Sequence, residues 1–156
     1  MSPRSRSGRA RTAAALLAAG LAGSVAVAPS AAAQADFVVS EAWIRVTIPS
    51  RPAAGYFKLT NNTDADARLV GAASLGCAAM MLHETVDEGG AETMRKIDEI
   101  PVPAHGSARF APGGYHLMCM SPSAMVALGR HVPVTLKLAG GGEVSADFLV
   151  RGATER

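Results

Sequence analysis

The sequence has 156 residues, 49% hydrophobic and only 4% aromatic, with 15 basic against 13 acidic side chains. Four of the basic residues, Arg4, Arg6, Arg9 and Arg11, precede an apolar run from Thr12 to Pro29 that ends in Ser30 and the small-residue stretch AAAQAD, the order of a secretory signal peptide. Without residues 1–35 the chain carries 11 basic and 13 acidic residues, net −2; with no basic stripe and no aromatic ladder, this composition excludes a nucleic-acid binder.

An A-x-A cleavage site ending at Ala35 leaves residues 36–156 as one domain; a cut after Ala33 is the near alternative. A transmembrane anchor fits less well, because the run is short of about 20 residues, Ala-rich, and ends in proline. No cysteine lies in or just after the segment, which argues against lipid attachment, and Arg4 and Arg6 are not adjacent, which argues against twin-arginine export. The expectation is an exported protein, periplasmic or secreted, with no membrane anchor after signal cleavage.

From residue 37 onward the pattern is alternation with almost no helical spacing. The runs FVVSEAWIRVTI, AGYFKLTN, ARLVGAAS, AMMLHETV, TMRKI, SARFA and HLMCM are separated by turn chemistry at PSRPA, NNTDAD, DEGG, PVPAHG and APGG. The clearest pair comes last: Val134, Leu136 and Leu138 alternate with Thr135 and Lys137, then after Gly140, Gly141 and Gly142 come Val144, Ala146 and Phe148, a hairpin. Eight or nine short strands at this spacing read as an all-β, antiparallel β-sandwich. Trp43, the single tryptophan, is expected in the core between the two sheets.

The chemistry concentrates in GYHLMCM. In a strand, His116, Met118 and Met120 share one face, and Tyr115, Leu117 and Cys119 the other. Leu117 and Cys119 suit a core, which turns the histidine and two methionines outward, where thioethers gain little from burial. A second cluster, MLHETVDEGGAETMRKI, places His83 on one strand and Met94 on the next, with an acidic glycine loop between; a hairpin brings them together. His83, Met94, His116 and Met118 can then close a tetrahedral site of two nitrogens and two sulfurs. Thioether is soft, neutral and untitratable, and with imidazole it favours Cu(I); zinc structural sites enlist thiolates or carboxylates, and calcium or magnesium hard oxygen. Asp87, Glu88 and Glu92 lack EF-hand spacing and read as a solvated loop. His105 and His131 read as surface or structural residues. Met80, Met81 and Met120 read as packing; Met81 and Met120 share the faces of His83 and Met118, so a reserve ligand or a shield of the site from water is the other reading.

The spacing H-x10-M-x21-H-x-M, with AWIR at 42–45, HET and MR around the first pair, IPVPA at 100–104, PGGYHLM at 112–118 and VPVTL at 132–136, resembles the periplasmic copper chaperones of the PCuAC family from about Ser40 to Val150. The resemblance implies a cupredoxin-like β-barrel or sandwich that binds one Cu(I) at a surface-exposed site. It implies a metallochaperone passing the ion to a copper-accepting protein such as a cytochrome c oxidase subunit or a thioredoxin-like copper protein. No Ser, His and acid grouping with a nucleophile motif is found, so an enzyme is not expected; a monomer is. Periplasmic copper buffering or resistance is the alternative. Blue-copper electron transfer is a further one, but it needs a Cys thiolate with two histidines and an axial Met, and alternation turns Cys119 away. Cys77 and Cys119 depart from the family's pattern. The export signal, the count of two and the inward direction of Cys119 point to a Cys77–Cys119 disulfide, with a free thiol filling an aliphatic slot as the other reading.

Overall fold

Each run of alternating residues becomes a strand with one dry side, and the dry sides close around a common interior. The computed structural model describes residues 35–154; the expected signal segment lies, but for Ala35, outside them. Ten strands follow in order: β1 (Phe37–Val46), β2 (Ala53–Asn61), β3 (Ala67–Ala73), β4 (Cys77–Asp87), β5 (Glu92–Lys96), β6 (Ile100–Val102), β7 (Ser107–Phe110), β8 (Tyr115–Pro122), β9 (His131–Leu138) and β10 (Glu143–Gly152). The pairing runs β4, β8, β2, β1, β10, β9, β3 and, through Ala72 opposite Met80, back to β4, which closes a barrel. The fold is all-β and cupredoxin-like.

The β9–β10 hairpin forms as its pattern dictates, with Leu136 opposite Val144 and the positive φ of Gly140 and Gly141, 87° and 93°, making the turn. Pairing is antiparallel except that β1 runs parallel to β10, with Trp43 beside Leu149 and Arg45 beside Arg151, and β7 meets β8 in one parallel bridge. The sequence reading missed β6. Its IPV core contains a proline, so it resembled a turn; proline is tolerated there because β6 lies at the edge, paired only with β3.

Ile44, Phe57, Leu59, Leu69, Leu117, Leu136 and Phe148 fill the interior. Phe57 stacks on Phe110 at 4.1 Å between ring centroids and meets Phe148 edge-on at 5.6 Å. Trp43 is not among them. Ahead of it β1 carries a bulge: Ser40 pairs with Lys58 but Trp43 with Tyr56, one residue out of step, and Glu41 sits at φ 53°. The extra residue inverts the alternation. Phe37 and Val39 pack on the core before the bulge, Ile44 and Val46 after it, and Trp43 is turned to the outer face, half-buried on Tyr56 at 4.7 Å.

Candidate metal centre

The outer face of β8 begins at a turn. Gly113 at φ 82° and the Gly114 N–H donated to the Ala111 carbonyl (3.0 Å) reverse the chain out of β7, so that β8 runs alongside β4. Leu117 and Cys119 then point into the core with no exposure, as the alternation requires. His83 of β4 lies directly opposite His116, Met81 opposite Met118, and Ala79 opposite Met120; on its other side β4 sets Thr85 opposite Met94 and His83 opposite Lys96. Directly opposed residues of antiparallel strands share a face. His83, Met94, His116 and Met118 therefore share one face of three adjacent strands, with His83 on the middle one.

The two imidazoles meet edge to face, 5.7 Å between centroids. His116 Nδ1 lies 3.1 Å from the Gly114 carbonyl, which also accepts the Thr85 N–H at 3.1 Å. A carbonyl can only accept, so the proton resides on Nδ1 and the lone pair of His116 on Nε2. Among the described residues that buried Nε2 has no hydrogen-bond partner, and neither has the buried Nδ1 of His83. Leaving a buried polar atom unpaired costs about 1–3 kcal/mol, and two such nitrogens side by side call for a shared partner. Burial also pushes the pKa of His83 down, with His116 and Lys96 adding to the effect, so its ring is held neutral and able to donate a lone pair.

A cavity of about 220 Å³ opens here, lined by Met94, His116 and Met118 together with Arg45, Tyr56 and Glu92; His83 lies beside it and does not line it. Exposure across the face is uneven. His116 is 3% exposed beneath Tyr56, whose ring is 6.5 Å away, whereas Met94 is 61% exposed. The implied surface-exposed site is thus open at Met94 and closed at His116. Among the described residues no three His, Cys, Asp or Glu side chains converge on one point. What this face offers together is imidazole nitrogen and methionine sulfur, a donor set that suits a soft ion.

The remaining sequence candidates separate cleanly. Met80 is a core residue opposite Cys119, while Met81 and Met120 lie half-buried on the metal face. Asp87 builds its own loop by accepting the Gly90 N–H at 2.7 Å, and Glu88 is exposed. His105 pairs with Asp64 at 2.7 Å, and His131 is exposed on β9. Cys77 and Cys119 are joined in a disulfide, Cα atoms 5.3 Å apart. Sequence reasoning did not reach Tyr56 and Arg45. The Arg45 guanidinium donates to the Tyr56 hydroxyl at 2.6 Å and both line the cavity with His116; only the bulge in β1, invisible as a pattern, brings Arg45 to this side.

The pattern of the LpqE-like family, described as "Putative lipoprotein LpqE-like", matches residues 37–150. The chain belongs to this family. This LpqE-like protein is 37% identical over 139 residues to "Putative lipoprotein Lxx21020" of Leifsonia xyli subsp. xyli (strain CTCB07), covering 85% of this chain and 82% of that protein. Its fold is similar to the copper-bound PCuAC domain from PmoF2, at a TM-score of 0.63 and 25% identity over 77% of this chain and 96% of that one. It is likewise similar to the solution structure of CuI-DR1885 from Deinococcus radiodurans, at 0.62 and 30% over 81% and 85%. The apo PCuAC domain from PmoF1, at 0.62 and 20%, shares the fold. Family and architecture are those of the PCuAC proteins that the sequence resembles.

Proposed function

We propose that this LpqE-like protein is an exported metallochaperone that binds one Cu(I) through His83, Met94, His116 and Met118 and hands it to an acceptor protein. The observation that carries the reading is the pair of facing imidazoles whose buried nitrogens, His83 Nδ1 and His116 Nε2, lack any partner, with two thioethers on the same face. The copper-bound state of the PmoF2 domain and the Cu(I) form of DR1885 support carrying the ion over to this chain. Two neutral nitrogens and two neutral sulfurs stabilise the reduced ion and give it no charge to oxidise toward. The gradient from buried His116 to exposed Met94 suits stepwise exchange: an incoming ligand displaces Met94 first, while His116 still holds the metal.

Export through cleavage near Ala35, residues 36–156 as the mature domain, a periplasmic or secreted location and cytochrome c oxidase assembly as the destination belong to the same proposal. The lipoprotein names of the relatives support an exported protein. Both cysteines of this sequence are engaged with each other, so neither offers a thiol for a lipid or for the thiolate of a blue-copper centre. Anaerobic Cu(I) titration with X-ray absorption tests the site: two nitrogen and two sulfur neighbours per copper are expected, and a sulfur-free shell refutes it. Loss of oxidase activity on deletion, restored by added copper, supports delivery; copper sensitivity alone points to storage.

A further inference from the structure

Next to the metal face lies a larger groove of about 680 Å³, lined by Trp43, Arg45, Arg109 and Arg151 with Phe57 and Phe110, and with Glu41 as its sole carboxylate among the described residues. Arg109 pairs with Glu41 at 3.2 Å. Arg45 and Arg151 are different: they are register neighbours on β1 and β10, yet neither has a carboxylate within 4 Å among the described residues. Arg45 is held on the neutral Tyr56 hydroxyl, and Arg151 lies over the Trp43 ring at 5.3 Å. Like charges set side by side on adjacent strands are destabilising, so a surface that keeps two free guanidiniums together is suited to an anion that joins them. The contrast with the rest of the domain sharpens this, since residues 36–156 carry more acid than base.

The groove adjoins the cavity beside His116, since Arg45 lines both. We propose that it docks an acidic segment of the protein with which copper is exchanged, an aromatic or apolar residue of that segment lying on Trp43 and its carboxylates between Arg45, Arg109 and Arg151. This rests on the chaperone reading for its purpose but not for its chemistry. A segment bound there continues over Arg45 to the edge where Met118 and Met94 stand, so docking places the partner's copper ligands beside the exposed thioether. The separation of duties is physical: guanidiniums steer and orient the partner, and thioethers exchange the ion.

Trp43 is the protein's one tryptophan and lies in the groove, so its fluorescence reports occupancy directly. The apo protein and the Cu(I) form are each titrated with the peptide Glu-Asp-Phe-Glu-Asp, its basic counterpart Lys-Arg-Phe-Lys-Arg, and succinate. The acidic peptide is expected to shift Trp43 emission and bind both forms, weakening about fivefold or more between about 20 and 150 mM salt. R109Q/R151Q is expected to weaken it by about tenfold or more while Cu(I) affinity stays at the parent value, with R109Q alone intermediate. Equal binding of acidic and basic peptides, no response from Trp43, or parent-like binding by R109Q/R151Q overturns the proposal. Succinate binding more tightly than the peptide also overturns it, assigning the groove to a small organic acid. Peptide binding by the parent protein when it takes up no Cu(I) leaves the groove standing and removes the chaperone reading; Cu(I) uptake by the parent with no peptide binding does the reverse.

Discussion

Met80 and Met81 are neighbours in β4 but serve different chemistry. Met80 is buried in the barrel opposite Cys119, and Met81 lies half-buried outside opposite Met118. The same contrast runs along β8, where Leu117 and Cys119 face inward with no exposure and His116 and Met118 face out. On the inner side sulfur acts as volume and as a covalent bond; on the outer side it shares a face with two nitrogens that have no hydrogen-bond partner among the described residues. One strand pair thus carries stability on one surface and the proposed ligands on the other. The two are mechanically joined, because the disulfide fastens β4 to β8, the strands that present His83 and His116.

The largest effect should come from the inner side. The bridge spans 42 residues, and loop-closure entropy puts its contribution at about 4 kcal/mol, less any strain. C77A/C119A should lower the unfolding free energy by about that amount in denaturant titration, yet still bind one Cu(I) while folded. If the folded double variant binds no Cu(I), the two faces are not separable. Leu117→Ala should follow at about 3 kcal/mol, since it leaves a void in a fully buried position, again with copper stoichiometry unchanged.

Outer-side changes should invert the readout. Met118→Leu and Met94→Leu conserve volume and remove only sulfur, so unfolding midpoints should stay close to the parent's. Cu(I) affinity, measured by competition with a chromogenic chelator, should fall by about tenfold or more, a loss of at least about 1.4 kcal/mol. Met80→Leu is the matched control: the same substitution on the inner side should leave affinity untouched. Parent-like Cu(I) binding by both Met118→Leu and Met94→Leu would remove the ligand assignment and reduce the outer methionines to packing.

Much of this contrast was legible in the sequence because period 2 is a short-range property. The alternation in β8 and in β9–β10 assigned inward and outward residues without knowledge of partners, and the H-x10-M-x21-H-x-M spacing named the family. What failed were features decided by tertiary context. Trp43 was misplaced because one bulged residue at Ser40–Glu41 inverts the phase of everything after it, and no local pattern announces such an insertion. β6 was hidden by its proline, acceptable only because no strand pairs on its far side. The burial of His116 under Tyr56, and with it the role of Arg45, depends on β2 and β1 lying next to β8, a neighbourhood set by barrel closure rather than by any motif.

The smallest expected effect is the pH dependence, which separates the faces because the disulfide and the buried leucines have nothing to titrate. An imidazole must be neutral to ligate, and an ordinary one takes up its proton near pH 6.5. Burial, then His116, then Lys96 hold the pKa of His83 below that value. In the copper-free protein the unfolded chain therefore binds the proton more readily than the folded one. The contribution of His83 to stability is complete above about pH 6.5 and is lost as the pH falls from there through the lowered folded pKa. Cu(I) affinity should follow the same course, near constant from about pH 8 to 7 and declining in mild acid, while the thioethers contribute no slope. Lys96→Gln provides the control. It removes a positive charge directly opposite His83 on β5 without touching a ligand, so the pKa of His83 should rise toward the ordinary value and the acid-side decline should begin at higher pH. NMR titration of the His83 ring, run beside the affinity series, checks both. An affinity flat between about pH 7 and pH 5 would leave the outer face without histidine ligation.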